Sequence, residues 1–498
     1  MKRFLSLLLI GCLFVMIVGC SKDGSNKTSS SSKDNGTNSN EEAYTLNVSY
    51  PVYGDAPSDL LKVQEKVNEI TMKEINAKVE FKPVAISAMA NTYTLAASSG
   101  EKQDLIMLLP GYNYLTQFAG SNMIRPLDEL LEKHGKDITA TYGDIFDAAK
   151  VDGKLYAIPG KDPVVTGRGF YMSDSIAKKY NIDVTNIKTM DDLDPILEKV
   201  HAGEPDLQAF FPMGVAGSML NFDTIGNYFG VLRNGGVDNL KVVNMFETKE
   251  YSNAVKKVRE WYQKGYISKD FATEQSSPQQ LMDAGKLFAA PVFTDPSQRG
   301  LGDKAPKYTV TLHDPVEKTE TYQLFLWAVP TIAERPDKSI EFLNLVFKNQ
   351  DLANLLKFGI DGEHYEKNSD GTIDTSKGIG KFMNNWYIWG DTEKLLIPEK
   401  EYVGFGGDID KYKQAKEEWV SSTKRSKAFG FIFNSDPVKT EIAACTAITD
   451  QYTKLLEGGA LDPDEYIKLV NEKLYDAGLQ KIIDEKQRQL NEWAKKQK

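Results

Sequence analysis

An alternation of strand and helix patterns near the start of the folded chain constrains its architecture more than any other feature. Strict apolar/polar alternation and short apolar runs predict strands, and apolar positions spaced by three and four residues predict helices. The predicted strands are 44–50, 78–84 and 105–109, and the predicted helices are 58–70 and 89–99. The strand at 105–109 is almost wholly apolar, as in a strand buried on both faces. This order predicts parallel pairing with right-handed crossovers, and therefore an α/β lobe.

Beyond residue 150 the chain predicts a second block of structure and a helical end. Asp152-Gly153 predicts a hairpin turn, and the Gly- and Pro-containing stretch 160–169 separates the first lobe from the new block. Further predicted elements are a helix at 190–201, a strand at 322–329, a helix at 340–358 and largely helical structure from residue 412.

Cys20 stands where a secretory signal would be cleaved. Lys2 and Arg3 precede an apolar run from Phe4 to Val18, shorter than the roughly 20 residues of a membrane-spanning helix. A cysteine at this position resembles the lipobox of bacterial lipoproteins, which implies that the cysteine becomes the first mature residue and carries a diacylglyceryl lipid. The alternative is a plain signal peptide. We expect a protein on the outer face of a membrane that it does not cross.

The segment that follows predicts a tether. Residues 21–42 contain no apolar side chain, so they cannot bury enough surface to fold, and they reach about 25 Å on average as a flexible coil. The remaining 456 residues predict two or three domains. The net charge of −10 becomes −12 once the two basic residues of the signal are removed, which argues against a nucleic-acid partner.

The sequence lacks the usual motifs of catalysis and metal binding. It contains no GxSxG, HExxH or Walker loop, and no GxGxxG after a predicted strand. The four histidines share no ligand spacing, and we expect no cofactor and no metal. Residues 366–377 imitate a calcium loop but end in Lys377 instead of the required glutamate, so Asp370-Gly371 is interpreted as a hairpin turn. Cys445 lies on an apolar helical stripe and is expected to be a buried thiol.

Aromatic residues in loops form the candidate binding site. Tyr53 follows the first predicted strand and Tyr112 follows the third, at the edge where open parallel sheets bind ligands. Trp386 and Trp389 lie close together in a later segment. Flat aromatic faces suit the apolar faces of sugar rings, provided that polar groups at the rim bind the hydroxyls. Core packing is the alternative for each ring.

The chain resembles the family-1 extracellular solute-binding lipoproteins of carbohydrate ABC transporters, which include maltose-binding proteins, and within them the LplA-like branch. The segments that carry the resemblance, besides the lipobox and tether, are GEKQDLI at 100–106, DGKLYAIP at 152–159, LWAVP at 326–330, GIDGEHY at 359–365 and GFIFN at 430–434 with TE at 440–441. They occur in the order that the family has, over nearly the whole mature chain.

The resemblance implies a two-lobed, periplasmic-binding-protein-like α/β fold (type 2, Venus flytrap) with hinge strands and a largely helical C-terminal extension. We expect a signal peptide at 1–19, and the lipidated cysteine and tether at 20–42. The first lobe is expected at 43–160 plus about 320–375, and the second lobe at 161–319 plus about 376–498.

The resemblance also implies which residues touch the ligand. They come from first-lobe loops, from the stretch after the first hinge crossing, from two second-lobe loops and from the late aromatic segment. The expected residues are Tyr53, Asp55, Tyr112, Asn113, Arg168, Asn221, Phe222, Asp223, Asp295, Trp386 and Trp389. Relatives often place an aromatic residue directly after the third strand, whereas this chain has Leu109 and Pro110 there.

These features predict a lipid-anchored receptor, not an enzyme, that captures a carbohydrate, in particular an oligosaccharide, between two lobes. The expected partners are the permease subunits of an ABC importer and, through the lipid alone, the membrane; the protein is expected to be a monomer. Two alternatives stay open. One is a surface glycoside hydrolase, since any suitable pair of carboxylates would serve. The other is a receptor for peptides or amino acids, in which Arg168 and Asp223 could form ion pairs with the charged termini of the ligand.

Overall fold

The computed structural model describes residues 42–52, 55–109, 114–160, 165–212, 214–295, 307–382, 390–401 and 407–497. Residues 43–498 form one compact unit. Its strands are β1 Tyr44–Val52, β2 Ala77–Ala85, β3 Leu105–Leu108, β4 Lys150–Val151, β5 Lys154–Leu155, β6 Ile158–Pro159, β7 Gly167–Ser173, β8 Gln208–Phe210, β9 Leu287–Thr294, β10 Lys307–His313, β11 Val316–Glu317, β12 Leu326–Ala328, β13 Glu366–Lys367, β14 Ile373–Asp374 and β15 Lys424–Arg425.

Helices connect and cover these strands. They are α1 Leu60–Ile75, α2 Met89–Ser99, α3 Tyr114–Gly120, α4 Asp128–His134, α5 Lys136–Tyr142, α6 Asp174–Lys179, α7 Asp194–Gly203, α8 Val215–Met219, α9 Lys249–Gln263, α10 Pro278–Asp283, α11 Pro336–Lys348, α12 Gln350–Phe358, α13 Ile409–Ser422, α14 Lys439–Glu457, α15 Pro463–Asp476 and α16 Leu479–Lys496. None of the described helices combines the length and the apolar character needed to cross a membrane.

The first sheet has the order β2-β1-β3-β12-β6. β1 pairs in parallel with both β2 and β3, as predicted, and all four residues of β3 are buried. β12 runs antiparallel to β3 and β6, because the chain comes back to this sheet from elsewhere in the fold. The α/β character predicted for this lobe is therefore confirmed.

The second sheet has the order β10-β7-β9-β8. β7 is antiparallel to β10 and β9, and β8 is parallel to β9. Each sheet belongs to its own hydrophobic core. The first core contains β1, β3 and α11, and the second contains β7, α9 and the apolar faces of α14, α15 and α16. We call the bodies around these cores the first lobe and the second lobe.

Some elements differ from the sequence prediction. The strand predicted at 322–329 is shorter, since residues 319–323 form a 3-10 turn and only 326–328 pair in the sheet. The helix predicted at 340–358 is two helices, because the Asn349 side chain accepts a hydrogen bond from Leu352 N–H and starts a new helix there. The hairpins at Asp152-Gly153 and Asp370-Gly371 are confirmed, as is the buried Cys445 thiol.

Candidate functional site

Among the described residues, three stretches of chain lead from one lobe to the other. The first leaves β6, where Gly160 N–H donates to the Phe325 carbonyl at 2.7 Å, and enters the second lobe at β7. The second returns from β11 through the 3-10 turn Thr319–Gln323 to β12. The third passes through β15, which pairs in parallel with β11. Before β15, the Trp419 indole N–H donates to the Val165 carbonyl at 2.7 Å, so hydrogen bonds join these crossings.

A pocket of about 190 Å³ lies at these crossings, between the lobes. The first lobe lines it with residues at the end of β3 and the start of α3, and the second lobe with two loop segments. The lining includes Leu109, Leu115, Thr116 and Leu326 from the first lobe, 223–226 and 431–433 from the second, and Thr319, Glu320 and Gln323 from the crossing. Because Leu109 directly follows β3, the pocket lies at the sheet edge where α/β folds bind ligands.

Glu320 is the carboxylate of this pocket. Its Oε2 accepts a hydrogen bond from Thr224 Oγ1 at 2.7 Å. Its Oε1 lies 3.8 Å from Lys318 Nζ and 3.9 Å from Arg168 Nη2, too far for a strong hydrogen bond to either cation. The side chain is 40% exposed. The carboxylate is thus held in place on one side and open to a ligand hydroxyl on the other.

Arg168 lies on the face of an exposed aromatic ring. Its guanidinium carbon is 4.4 Å from the ring centre of Phe293, its cross-strand neighbour on β9. The Nε atom of Arg168 is buried and has no hydrogen-bond partner among the described residues. Phe293 is 45% exposed and Tyr228 43%, and the Tyr228 hydroxyl interacts electrostatically with both Glu320 and Arg168. One exposed aromatic ring therefore lies against the cation, and a second, Tyr228, lies within electrostatic range of the cation and the anion.

Beneath these groups lies a buried polar layer. Asp223 is 3% exposed, and it accepts hydrogen bonds from Ser426 Oγ at 2.6 Å and Ile225 N–H at 3.1 Å. Burial, reinforced by Glu320, raises the pKa of Asp223. Lys318 Nζ donates to the Phe222 carbonyl at 2.6 Å, and burial lowers its pKa. These contacts fix the backbone of the second-lobe loop.

The structure brings together only part of the predicted site. Asp223 lines the pocket and Arg168 lies 3.9 Å from Glu320, while Phe222 is buried in the second core and Asn221 is partly buried beside it. Asp295 directly follows β9, and Asp55 is exposed after β1. The other predicted residues lie outside the described residues, and so does Cys20; they are Tyr53, Tyr112, Asn113, Trp386 and Trp389.

Three residues of this site were not predicted: Glu320, Tyr228 and Phe293. Phe293 had a usable signal, since it comes two residues before Asp295 at the end of an apolar strand. Tyr228 and Glu320 had none, because one lies in an irregular loop and the other in a stretch of charged and polar residues typical of solvent-exposed turns. In the described part of the chain, no three His, Cys, Asp or Glu side chains gather as a metal site would require.

The family model for bacterial extracellular solute-binding proteins matches residues 66–362, more than half of the chain. The chain belongs to this family. A second model, a domain of unknown function (DUF3502), matches residues 427–495. This range comprises an irregular stretch without strands, followed by α14, α15 and α16 of the second lobe. The two-lobed α/β fold predicted for this solute-binding protein is confirmed by its structural neighbours.

Similar proteins cover nearly all of the chain. A carbohydrate ABC transporter substrate-binding protein of Streptococcus pneumoniae serotype 4 is 27% identical, over 89% of this chain and 90% of its own. The lipoprotein LipO of Bacillus subtilis is 23% identical, over 83% and 86%. The crystal structure of the N-glycan transport solute-binding protein NgtS of S. pneumoniae has a TM-score of 0.82 and 26% identity, covering 91% of this chain and all of that one.

Proposed function

We propose that this solute-binding protein captures an oligosaccharide between its lobes and delivers it to an ABC importer. The observation that carries the proposal is the group that adjoins the pocket between the lobes: Glu320 lines the pocket, Arg168 lies 3.9 Å from Glu320, and the Arg168 guanidinium stacks on Phe293. Substrate-binding proteins for carbohydrates and N-glycans among its relatives support the same ligand class.

The geometry suits a sugar in three ways. The exposed faces of Phe293 and Tyr228 can pack against the apolar faces of pyranose rings. Glu320 offers acceptors and Arg168 offers donors at nearly 4 Å from each other, so a hydroxyl can bind both. Because the pocket has walls from both lobes, a ligand gains more contacts when the lobes close, and this difference in affinity drives closure.

The chain superposes better on the NgtS structure described above than on NgtS bound to glycans. The TM-score is 0.82 for the NgtS structure above, and 0.73 and 0.70 for NgtS in complex with Man1GlcNAc and Man5GlcNAc. A rotation of one lobe about the crossings would lower the score in this way while leaving each lobe unchanged.

The proposed ligand contacts also include residues outside the part of the chain that the structure describes. Tyr53, Tyr112 and Asn113 follow first-lobe strands and are proposed to face Phe293 and its neighbours across the cleft. Trp386 and Trp389 are proposed to add a further aromatic platform. Asp55, Asn221, Phe222 and Asp295 stay proposed ligand contacts, and the lobe boundaries given by the sequence stay proposals as well.

A glycan panel tests the ligand class directly. Residues 43–498, which form the compact unit, are expected to gain thermal stability with at least one oligosaccharide. A ligand at 100 times its Kd adds about 2.7 kcal/mol of stability. Differential scanning calorimetry against glycans, peptides and amino acids measures the effect. Stabilisation by peptides but by no glycan would contradict the proposal.

The same samples address catalysis. We propose that the protein is not an enzyme, in line with relatives that are binding proteins. Chromatography of the stabilising glycan after long incubation should recover it intact. Appearance of shorter products would favour the glycoside hydrolase alternative.

Cys20 is proposed to anchor the protein to the outer face of the cell membrane, through a diacylglyceryl lipid and the tether 21–42. Cys20→Ala is expected to shift the protein from the membrane fraction to the culture medium, because it removes the lipidated atom. Fractionation with immunoblotting measures the distribution, and Cys12→Ala within the apolar run is the matched control. Retention of the Cys20 variant on membranes at the level of the control would contradict the anchor.

A further inference from the structure

The loop that carries Tyr228 lines the pocket through Thr224, Ile225 and Gly226, and it belongs to a long irregular segment. From Leu220 to Thr248 the chain forms only short 3-10 turns and isolated β-bridges, although many of its residues are buried. Buried backbone N–H and C=O groups that lack a helix or sheet partner need another one. Within residues 224–230, here called the cleft loop, three backbone carbonyls find a partner on the C-terminal helix.

Lys486 on α16 satisfies the carbonyls of the cleft loop. The residue is fully buried, and its Nζ donates to the carbonyl oxygens of Thr224 at 3.0 Å, Asn227 at 2.7 Å and Gly230 at 2.8 Å. An ammonium group has three protons, so the three acceptors use all of them. Burial lowers the pKa of Lys486 well below its ordinary value, and the nearby Asp223 and Glu320 carboxylates oppose this effect.

Other contacts from the C-terminal segment hold the same region. The Phe433 ring lies under the ammonium, 5.4 Å from Lys486 Nζ to the ring centre. Gly226 lies against Phe433, where an added Cβ would make an ordinary contact at 3.4 Å, and its φ of +106° favours glycine. Gln487 accepts from Val242 N–H at 2.9 Å, which fixes the next stretch of the irregular segment.

We infer that residues 427–495, the match to a domain of unknown function, position the cleft loop, with Lys486 as the positioning residue. By fixing this loop, Lys486 keeps Thr224 Oγ1 at 2.7 Å from Glu320 and Tyr228 within electrostatic range of Arg168, although Lys486 itself does not touch the ligand. The consequence for glycan affinity rests on the proposed function, whereas the order of the loop does not.

Lys486→Met tests the inference, because methionine has a similar length and no donor. In residues 43–498 without ligand, backbone amides of 224–230 are expected to exchange at least tenfold faster, measured by hydrogen–deuterium exchange and mass spectrometry. Leu474→Ala on α15 is the control, since Leu474 is fully buried in the same lobe and α15 packs on α9, α14 and α16. It should lower the melting temperature without selective exchange at 224–230. If the Met variant does not fold, Lys486→Gln, which keeps two donors, should still exchange faster at 224–230 than the unmodified protein.

Glycan affinity provides the second readout. The Kd of the best-stabilising glycan is expected to rise at least tenfold in Lys486→Met and to stay unchanged in Leu474→Ala. Unchanged exchange at 224–230, or equal exchange in the control, would overturn the inference, and faster exchange with unchanged affinity would overturn its consequence for binding. If the unmodified protein binds no glycan, the proposed function fails, and the exchange rates alone decide whether Lys486 orders the loop.

Discussion

Phe293→Ala is expected to weaken glycan binding roughly 10- to 100-fold, or about 1.4–2.8 kcal/mol, while leaving the fold unchanged. The ring is 45% exposed, so its removal opens no cavity in the core. The loss comes from the sugar-stacking face and from the support that the ring gives to the Arg168 guanidinium, 4.4 Å away. Isothermal titration calorimetry with the glycan found by thermal screening measures the Kd.

Two further substitutions distinguish the effect of the aromatic ring from the effect of side-chain volume. Phe293→Tyr keeps the aromatic face and should bind within a few-fold of the unmodified protein, whereas Phe293→Leu should resemble the alanine variant. Leu95→Ala is the matched control, because Leu95 is also an exposed apolar residue, 66% accessible, but lies on α2 of the first lobe. An unchanged Kd in Phe293→Ala would remove this ring from the site and contradict the proposed geometry.

Glu457→Gln is expected to stabilise the protein above pH 7 by about 3 kcal/mol and to remove a pH dependence. Glu457 is 6% exposed, and burial raises the pKa of its carboxyl from 4.5 to about 7. Between these values the folded state keeps a proton that the unfolded state has lost. Stability therefore falls as the pH rises from 4.5 to 7, and the full cost of the buried anion is present above pH 7.

The free energy of unfolding of residues 43–498 in urea, measured at a series of pH values, shows this effect. The two proteins should have similar stability below pH 4.5, where Glu457 is neutral in both the folded and unfolded states, and should diverge up to pH 7. Glutamine can still accept the hydrogen bond that Ala216 N–H gives to Glu457 Oε2 at 3.3 Å. Glu417→Gln on the exposed side of α13 is the control and should leave the profile unchanged. Parallel profiles for Glu457→Gln and the unmodified protein would show that this carboxyl is not the titrating group.

Much of the first lobe could be predicted because its signals are local. The alternation from Tyr44 to Tyr50 and the apolar run at 105–108 identify strands without knowledge of any distant residue. The break at Asn349 was missed because apolar spacing continues across it, although a capping side chain starts a second helix there. The turn at 319–323 was missed because β-type residues around Tyr322 favour a strand, whereas the chain has to change direction between the lobes.

The candidate site was less accessible to prediction, since its members are far apart in the chain. Arg168 was predicted from its place after the first crossing, but its partner Phe293 is set only by the pairing of β7 with β9. Glu320 and Thr224 are 96 residues apart and meet only because the return crossing passes the second-lobe loop. Whether Trp386 and Trp389 join them stays a prediction.

By itself the sequence determined the α/β class and the family, because these depend on local patterns and on ordered segments of resemblance; the address signal and the carbohydrate ligand stay predictions. Only the tertiary structure decided which charged and aromatic side chains meet at the pocket and which lysine supports them. Lys486 shows the reason: a lysine in an amphipathic C-terminal helix predicts a solvated charge, yet the fold buries it and turns it into the donor for three carbonyls of a loop more than 250 residues earlier. Such a role depends on long-range packing, which no local pattern specifies.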